Sequence, residues 1–529
     1  MIARFLEHGG FKEVTVVGGS GDGGADIVAW NRGQRWVVQA KYRQNSNTGK
    51  NAVEEAFRAH WNYEADVTVV ASNREFSADA LSDRAKKTER GFKVLLWGRN
   101  FFLQQFEELG EFSAAKRVPR DYQRSAIDAV QMSVQEGRRR GLLTLATGLG
   151  KTMVVSTFIA EYLESNPDAK VLVLAHMTDL VKQLDRACWS QFSKHIATHV
   201  WTDGEKPTYT EGVTFATWQS VAVAWKNGEP LAAVFDLVVV DECHHAPSES
   251  FRQLLLGLDP SYLLGVTATP WRGDGENLRP LFGDPIFTMD VVQGMQLGYL
   301  AEVDYHMMLD GIDWDEIRRM SNQGLTVRDL NQTLYVPERD MAMIEMISDV
   351  IQSTPLPRAL VFCRSIAHAE RLANYFRQFD IAAGILHSDL DRTQRFRNLT
   401  NFRAGDLKVL ISIEMLNEGI DVPEVNIVVF ARVTHSRRIF LQQLGRGLRL
   451  SDKKTRVKVL DFVADIRRVA AGIEINKEAT RYKAAEVVHY PDGEIVKFSN
   501  YSQDFFQEYL SDMASIDDLD ETATLNFPI

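Results

Sequence analysis

Two hydrophobic rhythms divide the chain. From about residue 120, short runs that are apolar nearly throughout recur between segments of helical spacing, at 142–147, 171–176, 213–217, 237–241 and 263–267. Runs with no polar face suit parallel strands buried on both sides. Their alternation with helical segments predicts a doubly wound α/β domain. A second series follows at 359–363, 382–386, 409–413, 427–431 and 457–462, so a second domain of the same kind is expected. Between the two series, residues 290–345 lose the rhythm and read as helical and polar.

The beginning of the chain follows a different pattern. Runs 27–30 and 35–41 flank Asn31-Arg32-Gly33-Gln34, which reads as a hairpin turn, and a further strand pair is expected at 67–72 and 92–97. The stretch 114–120, with Pro119, reads as a linker. Beyond 466 the chain runs to the acidic stretch Asp517-Asp518-Leu519-Asp520-Glu521, the composition of a disordered, solvating tail. The expected organisation is therefore an N-terminal domain over 1–112, a first lobe over 113–290, a helical linker region over 291–345, a second lobe over 346–465 and a C-terminal extension over 466–529.

Bulk properties narrow the class. A chain of 529 residues exceeds what one hydrophobic core supports. Hydrophobic and charged contents of 45% and 25% are ordinary for a globular protein. The longest apolar candidate, 231–240, contains Asp236, and the first residues lack the apolar run of a secretory leader, so a cytoplasmic protein with no membrane partner is expected. Cys188, Cys243 and Cys363 are widely separated and lack CxxC spacing, which predicts buried free thiols rather than a disulfide framework or a zinc site. A net charge of -11 exerts no overall pull on nucleic acid, although binding needs only a local basic surface. The clusters Arg138-Arg139-Arg140 and Arg437-Arg438 read first as solvated faces.

Chemistry enters at the end of the first apolar run. Thr147-Gly148-Leu149-Gly150-Lys151-Thr152 follows a strand and opens a helix. Glycines let the backbone approach a phosphate closely, and a helix N-terminus points its N–H groups at it. Lys151 would reach the β- and γ-phosphates and Thr152 would hold Mg²⁺. Leu145 stands where the general phosphate-loop pattern has a glycine. A second element completes the set: the apolar run before Asp241-Glu242-Cys243-His244 places these residues at the carboxyl end of a strand, where open α/β sheets bind ligands. Asp241 would coordinate Mg²⁺ and Glu242 would orient or deprotonate the attacking water.

With those motifs, residues about 117–465 resemble a superfamily 2 helicase core of the DExH type, including the motor subunits of type I restriction enzymes. The resemblance implies two RecA-like lobes with ATP between them. Ala146 to Thr152 matches the A-T-G-x-G-K-T form of the family's phosphate loop. Arg120-Asp121-Tyr122-Gln123 resembles the adenine-recognition element, with Gln123 as the base contact. Thr267-Ala268-Thr269-Pro270 resembles the motif that couples hydrolysis to motion. Glu418-Gly419-Ile420-Asp421-Val422-Pro423 resembles the motif linking the second lobe to ATP and nucleic acid. In Gln442-Gln443-Leu444-Gly445-Arg446-Gly447-Leu448-Arg449, the resemblance implies that Gln442 lies at the nucleotide and that Arg446 and Arg449 reach the γ-phosphate. Nucleic acid would lie against 175–180 and 217–220 and be held mainly by its backbone. Trp201 and Trp218 could stack on bases but read first as core.

In the N-terminal domain, a glycine-rich run from Gly18 to Gly24 leads into Asp26, and the second strand of the hairpin carries Gln39 and Lys41 on one face. A two-residue turn at Arg32-Gly33 places Asp26 opposite Gln39, about 5 Å apart at Cβ. A bulge at Gly33 would shift this by one residue. A carboxylate, an amide and an ammonium on one site suit metal-assisted phosphodiester cleavage, with Mg²⁺ on Asp26 and Gln39. The arrangement resembles the Mrr-like branch of the PD-(D/E)xK nucleases, a restriction-endonuclease-like α/β fold. Relatives often carry an acid early in the first helix, which is expected to be missing here. Glu7 and Glu54 are poor substitutes by position.

The function expected is an ATP-dependent DNA helicase or translocase coupled to a Mg²⁺-dependent endonuclease, restriction-like and directed against foreign DNA. It would use duplex, forked or single-stranded DNA and partner subunits of a defence system. The alternatives are a repair helicase, a DNA-sensing ATPase switch whose N-terminal domain binds without cutting, and an RNA helicase, which the nuclease resemblance disfavours.

Overall fold

The protein is described from a computed structural model. It covers residues 2–17, 24–114, 116–229, 235–268, 278–290, 293–294, 297–308, 339–363, 365–387, 389–390, 392–413, 422, 424–431, 456–462 and 495–498. Among them, no helix is long and apolar enough to cross a membrane.

The first sheet has five strands in chain order: β1 Lys12–Val16, β2 Ile27–Asn31, β3 Gln34–Lys41, β4 Val67–Ser72 and β5 Lys93–Trp97. The first three are antiparallel, and β3, β4 and β5 are parallel. Arg32 and Gly33 both take left-handed φ, 50° and 77°, the geometry of a tight hairpin turn that matches strand twist. The register is unshifted from Asn31↔Gln34 to Ile27↔Val38, so there is no bulge at Gly33. The crossover helix Lys50–Asn62 buries Ala52, Val53, Ala56 and Ala59, a narrow stripe of mostly small side chains that lets it lie close on the sheet.

The second sheet is entirely parallel: β6 Arg140–Leu145, β7 Lys170–Ala175, β8 Thr198–Trp201, β9 Gly212–Thr217, β10 Leu237–Asp241, β11 Tyr262–Thr267 and β12 Pro285–Met289, in the order β12-β6-β11-β10-β7-β9-β8. All five expected strands are present. The two unexpected ones, β8 and β12, are the edges, where a strand needs no continuous apolar run and Pro285 is tolerated.

The third sheet holds β13 Glu302–Met308, β14 Ala359–Phe362, β15 Ala383–Leu386, β16 Val409–Ser412, β17 Ile427–Phe430, β18 Arg456–Phe462 and β19 Ile495–Phe498, in the order β15-β16-β14-β17-β18-β13-β19. It is parallel except for β19, which runs antiparallel to β13. Two expectations need correction here. The region 291–345, read as helical, supplies β13, and the tail beyond 466, read as disordered, supplies β19. The alternation of Glu302, Asp304 and His306 with Val303, Tyr305 and Met307 is a strand signal of period 2, hidden in a polar stretch.

The N-terminal domain is anchored to the unit built on the second sheet, the first lobe, through the helix Thr178–Trp189 and the turn after it. Trp189 belongs to the N-terminal domain's core with Ala3 and Leu6. The Arg4 guanidinium donates to the carbonyls of Ser193 and Ile196, each at 2.6 Å. Lys194 Nζ donates to the carbonyls of Phe106 (3.0 Å) and Leu109 (2.8 Å), capping the end of the helix Arg99–Glu108. Glu7 faces this junction; burial pushes its carboxyl up to about 7, against the pull of Arg186.

Candidate functional site

β6 ends at Leu145, and the chain turns through Gly148 and Gly150, whose φ values of 93° and 77° are left-handed. A side chain at Gly150 would meet the Gln123 amide nitrogen at 2.6 Å. The helix Lys151–Ser165 starts at the next residue, and no side chain caps it. Its first N–H groups therefore point at the loop as donors for an anion. Thr147 lies in the loop and Thr152 in the first helical turn. Gln123 sits beneath: Nε2 donates to the Leu149 carbonyl at 3.0 Å, and Oε1 accepts from the Arg120 N–H at 2.9 Å. The Tyr122 hydroxyl donates to the same Leu149 carbonyl at 2.7 Å.

Asp241 closes β10, which is flanked by β11 and β7. Glu242 follows in a left-handed conformation (φ 47°), which swings its side chain toward the loop. Its carboxylate lies 3.5 Å from Lys151 Nζ and 3.3 Å from His244 Nδ1. Burial alone would push that carboxyl up. The Lys151 ammonium and His244 outweigh burial and hold it below the usual carboxylate range. His244 Nδ1 also lies 3.1 Å from Thr267 Oγ1 at the end of β11. Lys151, Glu242, His244 and Thr267 thus form one chain of polar contacts from the start of the helix after β6 to the ends of β10 and β11. A phosphate cradle, an ammonium, an aspartate and an ionised glutamate fit a Mg²⁺-bound nucleoside triphosphate.

The segments expected to meet nucleic acid lie beside this site, at the ends of the adjacent strands β7 and β9. Gln219 Nε2 donates to the His176 carbonyl at 3.2 Å and joins them. Trp201 is buried in the core, and Trp218 stacks on Phe251 at 4.9 Å. The Arg138–Arg140 cluster is spent locally: Arg138 pairs with Glu136 and Arg139 with Asp259, and Arg140 donates to the Pro280 carbonyl. All three cysteines are buried free thiols. Thr269, Pro270, Glu418, Gly419, Asp421, Gln442, Arg446, Arg449 and the run Gly18–Gly23 lie outside the described residues.

In the N-terminal domain, Asp26 Oδ2 accepts from Gln39 Nε2 at 2.6 Å and from the Ala40 N–H at 2.7 Å. The hairpin register brings these groups together. Lys41 Nζ, on the same strand face as Gln39, is hydrogen-bonded and ion-paired with Glu55. Sequence reasoning missed Glu55. Its neighbour Glu54 instead makes a surface pair with Lys50 at 2.9 Å. Glu55 stands three residues after Ala52 and four before Ala59, so it falls on the helix's buried stripe; an acid at that spacing was the available signal. Among the described residues no three His, Cys, Asp or Glu side chains form a metal cluster. Mg²⁺ usually keeps several waters and takes one or two protein carboxylates, so the Asp26 carboxylate fits it, while Gln39, whose Nε2 faces Asp26, has only its Oε1 to offer a metal.

Each of the two sites lies in a stretch of the chain that matches a known family. Residues 116–272 match the family "Type III restriction enzyme, res subunit", residues 342–451 match "Helicase conserved C-terminal domain", and residues 1–104 match "Restriction endonuclease". The "DNA 3'-5' translocase XPB2" of Sulfurisphaera tokodaii is 26% identical over 63% of this chain and 79% of its own length. The "Type I restriction enzyme EcoAI endonuclease subunit" of Escherichia coli is 26% identical over 65% of this chain and 46% of its own length. The chain spans about half the length of several curated relatives it matches. Among solved structures, "ATP-dependent Type ISP restriction-modification enzyme LlaBIII bound to DNA" aligns with 99% of this chain and 42% of its own, at 18% identity and a TM-score of 0.56. The two parallel-sheet units are RecA-like lobes, and the first sheet belongs to a restriction-endonuclease domain.

Proposed function

Because this chain joins a superfamily 2 helicase core to a restriction-endonuclease domain, we propose that it is an ATP-driven DNA translocase that carries its own Mg²⁺-dependent endonuclease. We place it in the cytoplasm, in defence against foreign DNA, working with partner subunits as the name of its type I restriction relative suggests. The observation that carries the reading is the Lys151–Glu242 contact at 3.5 Å between the start of the helix after β6 and the end of β10, which joins a phosphate-binding cation to a water-orienting anion. Thr152 and Asp241 would hold Mg²⁺, which neutralises phosphate charge. Glu242 orients a water whose oxygen bonds to the γ-phosphorus as the β–γ bridging bond breaks, and it takes up the water's proton. Gln123 carries the presence of a base to the loop through Leu149. The segments at His176 and Gln219 grip the DNA backbone, and Arg446 and Arg449 close the second lobe onto the γ-phosphate.

In the N-terminal domain, Asp26 and Gln39 would hold Mg²⁺, which polarises the scissile phosphate. Lys41 holds the attacking water or balances charge on the phosphate. The test is cleavage of plasmid DNA with Mg²⁺ and ATP. Wild-type protein is expected to cut, and Asp26→Ala to leave the plasmid intact while still hydrolysing ATP. Cutting by Asp26→Ala at the wild-type rate would place the chemistry elsewhere.

A further inference from the structure

We propose that Glu55 is a positioning residue of the endonuclease site: its carboxylate fixes the Lys41 ammonium where Asp26 and Gln39 converge. The inference rests on the endonuclease reading above.

Lysine reaches its target on a four-carbon stem with large rotamer freedom. A displacement of about 1 Å at a reacting group can cost on the order of 10²-fold in rate. A lysine that must hold a water or a phosphate oxygen therefore needs something to hold it. Lys41 has Glu55 as hydrogen-bond and ion-pair partner, with their side chains 23% and 39% exposed. The neighbouring Lys50–Glu54 pair, at 47% and 45%, is an ordinary surface pair within one helix.

The backbone fixes where Glu55 can be. Gly24, two residues before Asp26, has φ 91°, and a side chain there would meet the Glu55 carbonyl at 2.5 Å. The loop that delivers Asp26 is thus pressed against the helical turn that delivers Glu55. Ala52, Ala56 and Ala59, all buried, hold that helix down on the sheet. Asp26, Lys41 and Glu55 therefore arrive from three backbone segments locked to one another. In hydrolysis the water oxygen bonds to phosphorus, one ester P–O bond breaks, and the water's proton ends on the leaving oxygen. Lys41 keeps its own proton throughout, and Glu55 keeps its ammonium in place.

The experiment uses the full chain and compares Glu55→Gln, Asp26→Asn, Lys41→Ala and the Lys41→Ala/Glu55→Gln double variant. Single-turnover cleavage is measured at saturating Mg²⁺, Mn²⁺ binding by calorimetry, and ATP hydrolysis as a check on the fold. Glu55→Gln is expected to slow cleavage on the order of 10²-fold, with Mn²⁺ affinity within twofold of wild type. In the Lys41→Ala background it should have no further effect, since it acts through Lys41. Asp26→Asn should lose Mn²⁺ binding. Cleavage by Glu55→Gln at the wild-type rate overturns the proposal while leaving the endonuclease reading intact. So does a loss of Mn²⁺ affinity matching that of Asp26→Asn, which would make Glu55 a ligand. A wild-type chain that hydrolyses ATP but neither cuts DNA nor binds Mn²⁺ overturns both.

Discussion

His244 Nδ1 lies 3.1 Å from Thr267 Oγ1 and 3.3 Å from the Glu242 carboxylate, so one buried imidazole ties Glu242, the residue we propose to orient water, to the neighbouring strand end on β11. His244→Ala should release both partners. One such hydrogen bond contributes about 1–1.5 kcal/mol, or about tenfold in rate. Steady-state phosphate release should fall by about that factor, with ATP affinity little changed. A fall in ATP affinity with an unchanged turnover number would contradict this role.

The N-terminal domain is held to the first helicase lobe by Arg4, whose guanidinium donates to two carbonyls at 2.6 Å. Arg4→Ala leaves both acceptors without that partner, at a cost of about 2–3 kcal/mol. Calorimetry should show the N-terminal domain unfolding earlier and separately, and limited proteolysis should cut within 113–120. A single transition at the wild-type temperature would mean that Trp189 and Lys194 suffice to hold the junction.

Glu7 makes the same junction sensitive to pH. Burial raises its carboxyl from the ordinary 4.5 to about 7. A raised folded value favours the protonated form, so its contribution is complete below about pH 4.5 and is lost as pH rises through about 7. The full effect is at most about 3 kcal/mol and is smaller after solvent screening, since water reaches part of the group. Melting temperature should therefore fall between pH 5 and pH 8 in the wild type. Glu7→Gln should flatten that dependence and raise the value at pH 8 by roughly 2–4 °C. Equal pH dependence in both proteins would remove Glu7 from the account.

The parts of this molecule that could be read from its sequence are those fixed by local pattern. The central strands of both lobes carry apolar residues on both faces, as in Leu237-Val238-Val239-Val240, all fully buried. The Arg32-Gly33 turn fixed the hairpin register, and with it the meeting of Asp26 and Gln39. Edge strands were not legible. β8 carries His199 among four residues and β12 begins with Pro285, and an edge needs less apolar surface to hold its place. Glu55 carried a signal in its spacing, but its partner was not legible. Its contact with Lys41 depends on how closely a helix lies on a sheet, which is set by the left-handed Gly24 and a stripe of alanines rather than by any motif. The polar chain from Lys151 to Thr267 was half legible: all four residues belong to motifs, while the contact between His244 and Thr267 emerges only when strands β10 and β11 are seen side by side.

ATP hydrolysis by wild type and Lys151→Ala, with and without duplex DNA or RNA of equal length, tests the motor most directly. Turnover is expected in the wild type, accelerated several-fold more by DNA than by RNA, with a loss of at least about 10²-fold in Lys151→Ala at an unchanged melting temperature. Turnover retained by Lys151→Ala, or a wild-type rate indifferent to DNA, would contradict the motor reading.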